Sequence, residues 1–323
     1  MRELNIGIIG FSSIAKKAII PALKEIDYFN LKLIGTRNKK SELNTDYPNV
    51  IFCSYDEVIA SEEIDCVYVS LPVSLHFEWA KKVIESGKHL LLEKTFTDSL
   101  DKAKELIALA EDRKVICMEA LMYIYHPLFK KVMELLDNKV IGEIRTIEAS
   151  FGFPYLTFSD IRNSPDLGGG AILDALIYPL SLSLKVAKKD NIKMKSELFV
   201  KTDAFDVDTR GFLLLNIGGI TAYISYGFGF YYRNEYFIWG TEGYIKVNRG
   251  FSRPSDLSNS IFVKTKNLEQ EINVEPANHF IGMLDAFKNK IHGIDQSGTN
   301  EKEDILLRME IISKLYEEAK GMV

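Results

Sequence analysis

With 323 residues, 46% of them hydrophobic, the chain carries more apolar material than one core absorbs, so two domains are expected. A net charge of −5 with no clustered basic stripe argues against a nucleic-acid or anionic-membrane surface. Three scattered cysteines (Cys53, Cys66, Cys117) and five histidines without an H-x-x-x-H pair argue against a disulfide framework and against a metal.

The chain enters at once a buried strand, Leu4-Asn5-Ile6-Gly7-Ile8-Ile9-Gly10, and no run of about 20 apolar residues follows, so a cytoplasmic location is expected. Phe11-Ser12-Ser13-Ile14-Ala15 then opens a helix whose N–H groups and positive dipole end suit a dinucleotide pyrophosphate. Ala15 fills the third small position of G-x-G-x-x-G/A, whereas Ser12 replaces the middle glycine. Further strands are expected at Leu31 to Thr36, Val50 to Cys53, Asp65 to Ser70, His89 to Leu92 and Val115 to Met118. Helices begin between them near Ser13, Tyr55, Leu75 and Ser99, the alternation of a doubly wound parallel sheet over residues 1–120.

The end of the second strand reads Gly35-Thr36-Arg37-Asn38-Lys39-Lys40. It lacks the carboxylate that binds the adenosine ribose of NAD, while Thr36, Arg37 and Lys39 or Lys40 suit a 2'-phosphate, so NADP is favoured over NAD. The fourth strand ends in Ser70-Leu71-Pro72 with His76 beyond it, and the fifth in Glu93-Lys94-Thr95. Ligands of open α/β sheets bind outside such strand ends, which makes Lys94 a functional candidate. His76 suits packing, capping or cofactor contact equally.

Residues 121–323 read as an α+β domain with a large, mostly antiparallel sheet: a helix over 127–138, a strand over 144–153 and a glycine-rich turn opening a helix at Gly170. Strands follow around 196–203, 208–217, 219–230, 233–240 and 243–248, then helices near 278–292 and 301–320. No linker separates the halves, so a site in a cleft between abutting domains is expected. Gly168-Gly169-Gly170 allow a close backbone approach to a ligand or another domain. Asp174 and Tyr178 stand four apart and share a face if the helix is continuous. Alone, Tyr178 also reads as a core aromatic with its hydroxyl satisfied by a neighbour. Tyr123, His126, Tyr155, Arg162, Asn163 and Tyr232 are candidate substrate contacts by their position near these motifs. The aromatic run Tyr226 to Phe237 suits a core or a subunit interface.

Gly10 to Ala15, Ser70-Leu71-Pro72 with His76, Gly87-Lys88-His89, Glu93-Lys94, Met118-Glu119-Ala120 and His126-Pro127 stand in one order along the chain. Ile141-Gly142-Glu143-Ile144, Gly168 through Tyr178 and Trp239-Gly240-Thr241-Glu242-Gly243 complete the set. Together they resemble the Gfo/Idh/MocA oxidoreductases over nearly the whole chain. The resemblance implies a Rossmann N-terminal domain, hydride transfer between nicotinamide and a carbinol or carbonyl carbon of a sugar, polyol or nucleotide-sugar, and a homodimer or homotetramer. It makes Lys94 the motif lysine, Asp174 the acid that orients substrate or lysine, and Tyr178 the proton donor or acceptor. Gly10, Phe11, Ser12, Ser13, Ile14, Thr36, Arg37, Lys39, Ser70, Leu71, Pro72, His76, Glu93 and Lys94 form its cofactor side. Tyrosine at 178 resembles the branch with glucose-fructose oxidoreductase, dihydrodiol dehydrogenases and nucleotide-sugar ketoreductases.

Ser12, Val73, Thr95 and Leu176 depart from the family pattern: Thr95 removes a proline's restraint on the backbone after Lys94, and Leu176 narrows the substrate pocket. The expectation is an NADP(H)-dependent oxidoreductase, 3-ketosugar reduction included. The alternatives are a dihydrodiol or aldose dehydrogenase and a non-catalytic regulator binding dinucleotide or sugar. A regulator has no need of Lys94 and Tyr178 together.

Overall fold

Six short strands build the first sheet of the computed structural model, which describes residues 2–37, 47–188, 191–202, 205–294 and 301–320. They are β1 (Leu4–Ile9), β2 (Phe29–Gly35), β3 (Ile51–Cys53), β4 (Cys66–Val69), β5 (His89–Leu92) and β6 (Cys117–Glu119). Their order is β3-β2-β1-β4-β5-β6 and every pair is parallel. All of β4 and Leu90, Leu91 and Leu92 of β5 are buried, as a sheet with helices on both faces demands. The order reverses between β1 and β4, the switch point where strand ends splay apart to admit a ligand.

The crossovers carry α1 (Ile20–Lys24), α2 (Tyr55–Ala60), α3 (His76–Glu85) and α4 (Leu100–Arg113). Ser54 and Glu57 form a capping box on α2, and Ser99 caps α4. A π turn, Ala15–Ile19, precedes α1. Pro21 lacks an N–H and clashes with the carbonyl four residues back, which the widened turn relieves.

The second sheet has eight strands: β7 (Ile144–Phe153), β8 (Ile192–Thr202), β9 (Phe205–Ile217), β10 (Ile220–Phe228), β11 (Arg233–Gly240), β12 (Gly243–Asn248), β13 (Asn259–Thr265) and β14 (Glu269–Val274). Their order is β14-β13-β12-β11-β7-β10-β9-β8, antiparallel except where β7 meets β10. The strands β13 and β14 are additional to those expected from the sequence. The edge strand β14, Glu-Gln-Glu-Ile-Asn-Val, has no fully buried residue and so no apolar alternation to reveal it.

Ile147, Ala149, Phe151, Ile224, Tyr226, Tyr236 and Ile238 are buried in the second unit, whereas Tyr223 and Trp239 from the same strands are exposed. Its helices are α5 (Pro127–Asp137), α6 (Ala171–Asp174) and α7 (Ile177–Val186). Only Lys185 of α7 escapes full burial, which explains a helix apolar on nearly every side. Among the described residues no single helix is long and apolar enough to cross a membrane.

The chain divides into two units, Met1–Met122 with Phe280–Met309, and Tyr123–His279 with Glu310–Val323. The sequence division at 120 and 121 thus misses a return of the chain. In α8 (His279–Ile291), Phe287 stacks on Phe29 with centroids 6.2 Å apart, and Lys288 Nζ lies 4.1 Å from the centre of the Tyr28 ring. In α9 (Glu301–Lys320), Arg308 pairs with the Glu119 carboxylate.

Candidate active site

In the first unit, Gly10, Thr36, Ser70 and Glu93 each directly follow a parallel strand, at its carboxyl end. Gly10 has φ +98, and a Cβ there would stand 2.7 Å from the Ser70 carbonyl oxygen, so β1 can pass the end of β4 only with glycine. Ser70 Oγ donates to the Gly10 carbonyl at 2.7 Å and receives Ser12 Oγ at 3.0 Å. Ser12 Oγ in turn accepts the Ala15 N–H at 3.1 Å. The serine at the middle-glycine position is thus folded into the turn as a helix cap. The first-turn N–H groups of Ser13 and Ile14 have no intrahelical acceptor, so the turn suits a pyrophosphate despite the substitution.

The Phe11 ring packs edge-on against Phe52 at 5.4 Å and Tyr47 at 5.9 Å, which leaves its backbone as the cofactor candidate. Thr36 N–H donates to the Cys53 carbonyl at 2.9 Å, and Arg37 is exposed at the same strand end. Lys39 lies outside the described residues.

His76 is fully buried, with Nδ1 2.9 Å from the Thr95 carbonyl oxygen and Nε2 2.8 Å from that of Leu71. Burial holds its pKa below the ordinary value. Each ring nitrogen faces a backbone carbonyl and the neutral ring donates to one of them, so His76 packs the loop after β4 against the loop after β5. Thr95, fully buried and in contact with His76 through its carbonyl, is held in place without a proline. The Lys94–Thr95 peptide is cis. The loop Leu71-Pro72 is closed by Leu75 N–H donating to the Pro72 carbonyl at 2.9 Å, with Val73 opening a 3-10 turn.

Lys94 is half-buried and directly follows the internal carboxylate Glu93. Glu93 Oε1 accepts Tyr68 OH at 2.5 Å and Oε2 accepts the Lys94 N–H at 3.2 Å. Burial raises the Glu93 pKa to about 7 against the pull of Tyr68 and Lys94. The Glu93 side chain is therefore an internal brace for the lysine, which leaves its backbone at the strand end as the cofactor candidate. Glu119 Oε1 accepts the Phe96 N–H at 2.9 Å, Oε2 meets Arg308, and Glu301 Oε1 accepts the Glu119 N–H at 3.1 Å. The sequence marked Glu119 only as part of a motif; its partner 189 residues away supplies the role.

In the second unit, Arg162 Nε donates to Asp174 Oδ2 at 2.7 Å and its NH1 to Asp160 Oδ1 at 3.1 Å. The two carboxylates hold the Arg162 pKa above its ordinary value, Asp174 contributing most. Asp174 does not share one continuous helical face with Tyr178, because the helical stretches on either side of residues 175–176 are bent by 43°. The Leu176 N–H reaches back five residues to the Ala171 carbonyl at 3.0 Å.

Gly168, at φ +73, ends the preceding turn, and the other two glycines serve packing inside this unit. A Cβ on Gly169 would stand 2.5 Å from the Arg162 carbonyl oxygen, and one on Gly170 would collide with the Asp208 carboxylate. Asp208 Oδ2 accepts the Ile172 N–H at 2.7 Å, capping α6 from β9.

Tyr178 is 6% exposed, with ring centroids of Phe151 at 4.9 Å, Phe251 at 5.9 Å and Tyr123 at 6.2 Å. Tyr123 is fully buried and its OH shares a 2.9 Å hydrogen bond with Ser181 Oγ. His126, 1% exposed, caps α5 through Nδ1, which accepts the Leu128 N–H at 2.9 Å. Neither presents a surface to substrate, so both leave the expected pocket lining and become support. Tyr155 is exposed and lies against Gly229. Asn163 Nδ2 donates to the Thr157 carbonyl at 3.1 Å, and Tyr232 OH donates to the Ser252 carbonyl at 3.3 Å, each bracing its loop.

Two family models match this chain. One, described as an oxidoreductase family with an NAD-binding Rossmann fold, covers residues 4–121. The other, the GFO/IDH/MocA C-terminal domain, covers residues 129–246. The chain belongs to the Gfo/Idh/MocA oxidoreductase family. It is 29% identical to a dTDP-3,4-didehydro-2,6-dideoxy-alpha-D-glucose 3-reductase of Actinomadura kijaniata, over 89% of this chain and 87% of that protein. It is 26% identical to D-xylose 1-dehydrogenase (NADP(+)) 2 of Haloferax volcanii, over 97% of each chain. The crystal structure of a 3-ketoreductase from Actinomadura kijaniata with NADP and TDP-benzene superposes with a TM-score of 0.90 at 28% identity, over 97% of this chain and 96% of that one. The family's Ile141-Gly142-Glu143 and Trp239-Gly240-Thr241-Glu242-Gly243 signatures form one knot. There the Glu143 N–H donates to Thr241 Oγ1 at 3.0 Å, and a Cβ on Gly240 would stand 2.1 Å from the Ile141 carbonyl oxygen.

Proposed function

We propose that this oxidoreductase reduces the 3-keto group of a nucleotide-linked deoxysugar with NADPH. The observation that carries the reading is the β1 turn at the switch point, with Ser12 folded into a cap, beside a second strand that ends in Thr36 and Arg37 without a carboxylate. The likeness to 3-ketoreductases of nucleotide-linked sugars over most of the chain supports the substrate class.

When bound, the nicotinamide supplies the hydride. The Tyr178 hydroxyl gives its proton to the alkoxide oxygen that hydride addition creates, and its cage of three rings fixes the donor's direction. The Lys94 ammonium polarises the carbonyl. Asp174, oriented by Arg162, accepts a hydrogen bond from a neighbouring sugar hydroxyl. Ser13 and Ile14 N–H groups hold the pyrophosphate, and Arg37 the 2'-phosphate. The working protein is a cytoplasmic homo-oligomer, and the half-exposed Trp239 and Tyr223 of the second sheet support docking of a second copy there.

A second reading, aldose oxidation, is supported by the likeness to the Haloferax xylose dehydrogenase. The two separate on nicotinamide absorbance. NADPH consumption with dTDP-3,4-didehydro-2,6-dideoxyglucose and none with the free aldose supports ketoreduction. NADP(+) reduction by D-xylose, with no turnover of the dTDP-sugar, overturns it.

A further inference from the structure

The second unit contains a buried cation with no counter-charge among the described residues. Arg253 stands between β12 and β13, is 6% exposed, and gives one hydrogen bond from NH2 to the Gly250 carbonyl at 3.1 Å. Its Nε and NH1 meet no acceptor among the described residues, and no carboxylate there pairs with it. Tyr236, 1% exposed, faces the same guanidinium and its hydroxyl also lacks a partner among the described residues. A Cβ on Gly250 would stand 2.2 Å from the Tyr236 ring, so a glycine is what lets the loop carrying Arg253 close on this tyrosine.

Among the described residues the surroundings supply no negative charge. His126 and His279, buried with ring centroids 6.1 Å apart, lie within the field of Arg253. Burial and that field lower their pKa values to about 4 and about 3, so both are neutral at physiological pH. Burial lowers that of Arg253 only to about 10, so it keeps its charge. The Tyr236 phenol is held neutral by burial. An isolated buried charge with unmet donors is among the costliest arrangements in a protein interior unless an opposite charge joins it.

We propose that Arg253 and Tyr236 form a binding site for a small inorganic anion of the halide class, which accepts hydrogen bonds from Arg253 Nε and NH1 and from the Tyr236 hydroxyl. Near-complete burial of both side chains excludes a bulky anion such as a sugar diphosphate. The Phe251 ring touches both Tyr236 at 5.7 Å and Tyr178 at 5.9 Å, so the anion braces the wall behind the candidate proton donor.

The test uses the full chain, sodium bromide exchanged for sodium gluconate at constant ionic strength, and no activity assay. Thermal unfolding of the wild type is expected to shift upward with bromide, and crystals soaked in bromide to show an anomalous peak within hydrogen-bond distance of Arg253 and Tyr236. Arg253→Met is expected to lose both the shift and the peak. A wild-type crystal without a peak at this position overturns the proposal, as does a bromide shift that survives in Arg253→Met. If Arg253→Met fails to fold, the wild-type peak and its weakening in Tyr236→Phe decide the matter.

Discussion

The two candidate catalytic groups are held by opposite means. Lys94 stands in a loop braced by hydrogen bonds and charge: Glu93 on Tyr68, Glu119 on the Phe96 N–H and on Arg308, and His76 on the Thr95 carbonyl. Tyr178 stands in a helix braced by ring packing against Phe151, Phe251 and Tyr123. The contrast follows from chemistry. A lysine loop at the end of a parallel sheet leaves backbone N–H groups that only buried acceptors can satisfy, whereas a phenol needs a fixed ring plane and one polar tip. The first brace responds to protonation, the second to volume.

The comparison breaks most visibly at Tyr178→Phe. That variant keeps every ring contact and removes only the hydroxyl, so turnover should fall about 10²- to 10⁴-fold while NADPH binding by fluorescence titration stays unchanged. Full turnover would leave the tyrosine as mere packing. Phe251→Ala opens the cage and should lower stability by about 3 to 5 kcal/mol in urea unfolding, by the same amount at every pH, since no charge is involved.

The polar brace sharpens the contrast through pH. The folded-state pKa of Glu93 is raised from 4.5 to about 7, so the folded chain binds the extra proton and stability falls as pH rises between those values. Wild type should lose about 3 kcal/mol relative to Glu93→Gln across that window, and parallel stability curves for the two would refute the buried-carboxyl account. The smallest effect belongs to exposed Arg37. Its change to Ala should weaken NADPH binding about five- to tenfold and leave NADH binding nearly unchanged.

The same contrast decides what the sequence reveals. The parallel sheet is legible because Cys66 to Val69 and Leu90 to Leu92 are short apolar runs bounded by turns, and β7, β11 and β12 because their alternation is regular. The brace around Lys94 is not legible. Glu119 and Arg308 lie far apart along the chain, and no local pattern announces their pairing. Gly168 to Gly170 invite a ligand reading until Asp208, on a distant strand, is found filling the space beside Gly170. Tyr123 and His126 sit near the motifs in sequence yet are sealed inside, because nearness along the chain says nothing of the direction in which a side chain points. The break after Asp174 is marked only at a distance, by Pro179, whose ring crowds the Ala175 carbonyl four residues back.

The return of residues 280–309 to the first unit governs how the polypeptide matures on the ribosome. Phe29 waits for Phe287, and Glu119 for Arg308, until almost the whole message has been read. The leading unit therefore cannot close as soon as its first 122 residues emerge, and both units are completed only as the last helix is made. Excising residues 1–122 as an autonomous fragment would leave a buried glutamate without its arginine, and a nascent chain stalled before codon 308 would expose that half to proteases.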